Sequence, residues 1–442
     1  MDEASTEVTN SPSDDYYDVV VLGAGISGLV AASILSSQGN RVLVADDYKQ
    51  VGGNHMDWTS TEGYTFDVGS LIFQDDSPLL RHFPELLAYY VPISPSWGRL
   101  SPQGKVTTCP ISIRDDVLGA GFIGMTKILI SLAFARLFRR ELKNARDFAR
   151  FWIGAELLRQ SGLEAYMGRF YGLPAEEIDL ELARKRMLWI SEHASVTNLI
   201  RRALRGKQTG RPSNRQMARP KSGFSILYNA AAQKLKGAGV AFLTAAGTRQ
   251  IRKTAAGFEL EFSSTRATAA RVVSTIPISV IEGLSGMTTQ TDLRTITLIT
   301  LYFSFDGERG FSPSIIYNFS LTGSWKRLTV YSDFYGSVAG REYFAVEVVG
   351  GGAYSSAEAE LEFRGHVSES GIFKGDLKLE GSQILENAYP IYSRGATERA
   401  AEAVRRLEAY GIETIGRQGK FSYQPTARVS TIEVEAALGR RG

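Results

Sequence analysis

Gly23, Gly25 and Gly28 follow the apolar run 19–22 in G-x-G-x-x-G spacing, and Asp46 closes a second strand read over 41–45, apolar from Val42 to Ala45. Glycines at that spacing suit one kind of chemistry. The first allows a tight turn, the second lets a pyrophosphate approach the main chain, and the third lets a helix pack close on a strand. Ile26 and Ser27 lie between the last two glycines and open that helix, whose unpaired N–H groups and dipole favour a phosphate. Asp46, about twenty residues on, offers a carboxylate to ribose hydroxyls, and its neighbour Asp47 can share or replace that role. A lone glycine motif is weak evidence. Strand, glycines, helix, second strand and terminal acid in order describe a dinucleotide site.

The elements that must hold these residues are legible around them. An unbroken apolar run such as 19–22 suits a strand buried on both faces of a parallel sheet. Leu29, Ala32, Ile34 and Leu35 supply the inner face of a helix from about residue 27, and Gly39-Asn40 predicts a left-handed stop.

With 442 residues the chain is long enough for two or three interleaved domains. A net charge of +3 is too mild to point to nucleic acid. Cys109 is the sole cysteine, so no internal disulfide can form, and a reducing, cytoplasmic setting is expected. Residues 1–16 are polar and acidic, expected to be a disordered lead-in rather than a signal peptide. The most apolar segment, 117–138, contains Lys127 and runs into Arg136, Arg139 and Arg140. A mid-segment lysine disfavours a spanning helix, so a buried or surface-docked one is expected, with peripheral membrane contact through 117–140 and a membrane-associated location as the alternative.

The segment VGGNHMDWTSTEGYTFDVGSLIF, with Gly52, Gly53, Asn54, Gly63, Tyr64, Phe66, Asp67 and Gly69, resembles the flavin-containing amine oxidase superfamily. Within it the likeness is to the protoporphyrinogen-oxidase-like and UDP-galactopyranose-mutase-like branch. Three later segments carry the resemblance further. Residues 220–242 suggest a helix 224–235 and a strand from 240 leading back into the cofactor domain. Residues 271–278 suggest a strand ending in the turn Thr275-Ile276-Pro277 beside the cofactor. Gly416, Arg417, Gly419 and Tyr423 match a closing G-R-x-G-x-x-x-Y motif laid against the flavin.

The resemblance implies an α/β fold, a Rossmann-type FAD-binding domain of the GR2 type with an inserted α+β substrate domain, and FAD as cofactor. The cofactor domain would be assembled from 17–80, 220–285 and 385–442. A helix-rich insertion, 81–219, and a strand-rich one, 286–384, would form the substrate domain. Two departures stand out. The adenine neighbour is Thr248 where an apolar residue is usual, and Ala427 replaces a polar residue after the closing tyrosine, leaving Thr426, Arg428 or the main chain for the local contacts. Ser430 and Glu433 suggest a capping box opening a short terminal helix.

Arg417 is open to two roles: stabilising negative charge on a reduced flavin, or pairing with a phosphate or carboxylate. His55 could touch flavin or substrate, or be structural. Tyr317 and Tyr331 could line a substrate pocket with Tyr423, or belong to sheet core. The basic run 201–221 reads as a solvated loop, with an anionic membrane surface or phosphorylated substrate as alternatives.

No triad or metal cluster is expected, since the isoalloxazine takes the hydride and the protein orients the substrate. The resemblance implies an FAD-dependent oxidoreductase acting on a small-to-medium organic molecule, an anionic one among the expectations, by hydride transfer to flavin N5. A redox-neutral sugar mutase is the alternative. Gly52-Gly53-Asn54 with Asp57 fits it, but Leu71 and Gln74 stand where those mutases carry histidines. A flavoprotein that binds without turnover is a third.

Overall fold

The computed structural model describes residues 15–69, 72–138, 141–187, 215–288, 291–350 and 355–439. Two seven-stranded sheets organise it.

In the first sheet, Asp15–Leu22 lies between Val42–Asp46 and Arg266–Ser274, parallel to both. Ala241–Thr244 extends one side and Ile412–Thr414 the other, also in parallel. Gln250–Thr254 and Gly257–Glu261 add an antiparallel meander on the early half of Arg266–Ser274. Chain segments far apart in sequence therefore meet in one sheet. Val19, Val20, Val21 and Leu22 are all buried, as an unbroken apolar run in a central strand requires. The strand starts at Asp15, so it takes in the last two residues of the expected lead-in, and residues 1–14 of that lead-in lie outside the described residues.

The crossover helix Ile26–Ser37 returns the chain to Val42–Asp46. Gly28 is where it meets the sheet: a Cβ there would lie 1.8 Å from the Gly23 carbonyl oxygen. Gly39, at φ +84°, turns the chain out of the helix. The helix Ser225–Gly237 starts and ends within two residues of its expected bounds.

The second sheet is antiparallel apart from one parallel pair, Ile315–Asn318 with Trp97–Leu100. Along Thr295–Arg309, Ile299, Leu301, Phe303 and Phe305 pack under the helix Ser356–Ser370, while Tyr302 faces the other way onto Phe66. This is the period-two alternation of a strand covered on both faces. The expected helix-rich insertion also donates Trp97–Leu100 and Val106–Thr108 to this sheet, and the strand-rich one contains the Ser356–Ser370 helix. Phe373–Pro390 runs five residues past residue 385, so the last cofactor-domain piece begins as a strand of the second sheet. The helix of the apolar segment spans Gly121–Phe138.

Candidate functional site

A cavity of about 720 Å³ lies between the two sheets, at the carboxyl ends of the parallel strands. That is where open α/β sheets bind ligands, because strand ends and helix starts leave main-chain groups without partners. Gly23, Gly25, Ile26, Ser27, Asp46, Asp47, Gly52, Gly53, Asn54 and His55 line it from the first crossover. Thr248, Thr275, Pro277, Arg417, Tyr423 and Thr426 line it from the later segments, and Tyr317 from the second sheet.

The glycine turn is tied down by main-chain bonds. The Gly23 N–H donates to the Ala45 carbonyl at 2.7 Å, and Thr275 donates to the Leu22 carbonyl through both its N–H and its hydroxyl, each at 2.9 Å. Gly23 has φ +100°, and a Cβ on it would lie 2.2 Å from the Thr275 hydroxyl. The paired-glycine loop packs on this turn. A Cβ on Gly53, at φ +61°, would sit 3.0 Å from the Gly25 Cα. No side chain caps the Ile26–Ser37 helix and its first turn carries no acid, so its N-terminal N–H groups face the cavity with their dipole unopposed.

Asp46 accepts from the Ala24 N–H at 2.6 Å and the Tyr48 N–H at 2.8 Å, one on each oxygen. Each oxygen keeps a second lone pair for a ligand hydroxyl. Burial raises its pKa, with the two N–H bonds working against that rise. Asp47 is held differently, by the Thr248 N–H at 2.9 Å and its hydroxyl at 3.0 Å. The polar departure at Thr248 therefore positions Asp47.

At the far end, Arg417 donates to the Ala388 carbonyl and lies 4.8 Å from the Tyr389 ring centroid. Asn54 donates to the same carbonyl at 3.0 Å. Gly416, at φ +80°, does not line the cavity; a Cβ there would lie 2.6 Å from the Ser27 hydroxyl, so it lets the closing segment approach the crossover helix. The terminal helix begins earlier than expected, at Ala427, with Thr426 as its N-cap accepting from the Val429 N–H. Ser430 lies inside that helix and Glu433 accepts from Gln424 at 2.6 Å, so the expected Ser430–Glu433 capping box does not form. Arg428 is committed to Asp76 and Gln74. With Arg428 and Thr426 engaged, the main-chain N–H groups of this second helix start are what the segment offers a ligand.

His55 packs on Phe224, ring centroids 4.8 Å apart, beside Tyr228, at 5.4 Å, and shares a hydrogen bond with the Tyr228 hydroxyl. Burial and the nearby Arg417 charge lower its pKa to about 4, so the ring is neutral at ordinary pH. Asp57 accepts from the Phe224 and Ser225 N–H groups, both at 2.7 Å, fixing the start of the Ser225–Gly237 helix. That gives it a structural task.

Two further expectations fail. Tyr331 is fully buried away from the cavity, donating to the Asp67 carbonyl at 3.2 Å among Phe66, Tyr335 and Tyr343. The strand ends at Val330 and a single helical turn, Ser332–Tyr335, follows, which points the ring inward. Arg219, grouped by sequence with a solvated basic run, is wholly buried. It pairs with Asp67 at 2.6 Å and donates to the Thr65 and Pro220 carbonyls. Residues 201–214 of that run, and Leu71, lie outside the described residues.

The cavity also holds residues not singled out by sequence. Lys326 and Arg327 both pair with Glu347, Lys326 at 2.9 Å, and the Lys326 ammonium lies over the Phe170 and Tyr389 rings. A bulge makes this possible. Register shifts between Trp325 and Arg327, so two neighbouring residues face one partner instead of opposite sides. Two cations against one buried carboxylate leave this wall net positive. Tyr166, Tyr171, Tyr317, Tyr389 and Tyr392 surround it. Adjacent cations inside an apolar strand were the available signal.

Residues 21–86 match the family model described as an NAD(P)-binding Rossmann-like domain. Over 69 residues the chain is 42% identical to prolycopene isomerase 2, chloroplastic, of an Oncidium hybrid cultivar, which takes in 16% of this chain and 12% of that protein. The chain thus matches far less than two thirds of that curated relative's length. Among solved structures, reduced UDP-galactopyranose mutase superposes with a TM-score of 0.77 at 16% identity, covering 96% of this chain and 94% of that one. A putrescine oxidase redesigned in its cofactor binding gives 0.60 at 13%, covering 97% and 99%. The fold is therefore a Rossmann-type α/β fold with an inserted second domain. The resemblance first carried by glycines and the G-R segment holds across nearly the whole chain at the level of fold.

Proposed function

We propose that the chain is an FAD-dependent oxidoreductase that oxidises or desaturates a small-to-medium organic substrate bearing an anionic group. One observation carries the reading. A single cavity runs from a glycine-lined, uncapped helix start to a tyrosine wall with a net positive charge.

The donors suit the cofactor. Gly23, Gly25, Ile26 and Ser27 would face its diphosphate, Asp46 a ribose, and Thr248 with Asp47 the adenosine end. Gly53, Asn54, Thr275, Pro277, Arg417 and the helix start after Thr426 would hold the ring. FAD, when bound, supplies the hydride acceptor. Arg417 and the helix dipole would favour negative charge at that end of the cavity. Lys326 and Arg327 would fix an anionic group of the substrate, and the tyrosines would exclude water around it.

The mutase-like fold supports a second reading, redox-neutral turnover that depends on prior reduction of the cofactor. Anaerobic spectroscopy separates the two. The purified protein is expected to be yellow and to bleach when a suitable substrate is added, recolouring in air if oxygen is the acceptor. Turnover seen only after dithionite, with no bleaching by substrate, favours the second reading. A colourless protein that takes up no FAD overturns both. A cytoplasmic setting is part of the proposal, on the single cysteine, Cys109.

A further inference from the structure

The Gly121–Phe138 helix is the one long helix among the described residues that turns a broad apolar face to the outside. Phe122 is 80% exposed, Ile130 64% and Phe138 70%, with Ile123, Phe134 and Leu137 beside them. Soluble proteins rarely leave so much contiguous apolar surface in water without a partner.

We propose that this face docks the protein onto a lipid surface, lying in the headgroup region rather than crossing the bilayer. The opposite stripe of the helix is already used. Ile128 and Ala135 are buried, the Ser131 hydroxyl accepts from the Glu156 N–H at 3.1 Å, and Arg136 lies 4.3 Å from the Trp152 ring centroid. At Gly154 the main chain comes so near that a Cβ would lie 2.9 Å from the Leu132 nitrogen. A helix held along its length against Ala145–Ile153 and Ala155–Gln160 cannot enter a bilayer end-on without losing those contacts. By length and composition the helix could cross a bilayer, so it is these contacts that keep it at the surface.

Charge selects the partner. From residue 117 to residue 138 the only charged side chains are Lys127 and Arg136, with no acid. Pairing with a second copy would bury exposed Lys127 against an apolar face without a carboxylate on the helix to answer it. At a membrane surface its alkyl stem lies along the apolar layer while the ammonium reaches lipid phosphates. Anionic lipid is the fitting surface.

The inference does not depend on the cofactor reading. Its test is co-flotation of the full chain with vesicles of phosphatidylcholine, with and without phosphatidylserine. Binding is expected, stronger with phosphatidylserine, and reduced by about tenfold or more in the triple variant Phe122→Ser, Ile130→Ser, Phe134→Ser. Lys127→Glu should weaken binding chiefly to the phosphatidylserine vesicles and serves as the milder variant should the triple one misfold. Failure of the native chain to float with either vesicle overturns the proposal, as does unchanged binding in both variants. A lipid-free dimer that the triple variant converts to monomer also overturns it, assigning the face to a second copy.

Discussion

The two large sheets present functional residues to the same cavity in different ways. In the parallel sheet those residues sit in loops just after strands: Gly23 after Asp15–Leu22, Asp46 at the end of Val42–Asp46, Thr275 after Arg266–Ser274. In the antiparallel sheet they sit within strands, as Tyr317, Lys326 and Arg327 do. Loop residues are constrained by main-chain geometry, which demands particular residue types at particular spacings. Mid-strand residues are constrained only by which face they occupy, and a single bulge can change that.

Changes that strike each side should separate the two. Gly25→Val has the largest expected effect, loss of FAD retention on purification, since its branched carbons would enter the cavity beside the uncapped helix start; a variant that keeps its full flavin absorbance breaks the assignment. Arg219→Met strands the buried Asp67 carboxylate and should cost roughly 3–5 kcal/mol in urea denaturation. A loss near zero would mean that the pair does not hold the segment carrying Thr65 and Asp67 against that of Arg219.

Lys326→Met should leave FAD content unchanged while weakening binding of an anionic substrate about 10- to 100-fold. Equal weakening for a neutral analogue would remove charge recognition from that wall. For His55, the folded-state pKa of about 4 lies below the usual 6.5. Between those values the unfolded chain takes up a proton that the folded one refuses, so stability contributed above pH 6.5 is lost as pH falls towards 4. His55→Gln should flatten that limb, read as a smaller change in melting temperature across the window; an identical slope would place the ring in a wetter setting. Tyr331→Phe should cost only about 1 kcal/mol and leave substrate binding alone, because its hydroxyl serves the Asp67 carbonyl.

Sequence by itself determined the first crossover, namely the glycine turn, its helix and Asp46, while the return of distant segments to one sheet came from the family resemblance. Those features follow from local rules, such as the positive φ at Gly23 and Gly53 and the burial of 19–22, that a few residues satisfy wherever they occur. Only the tertiary structure decided that Arg219 is core, that Tyr331 faces inward, that Thr426 rather than Ser430 caps the last helix, and that Lys326 and Arg327 share Glu347. Each depends on partners distant in the chain or on a one-residue shift of register, which local side-chain preference does not encode.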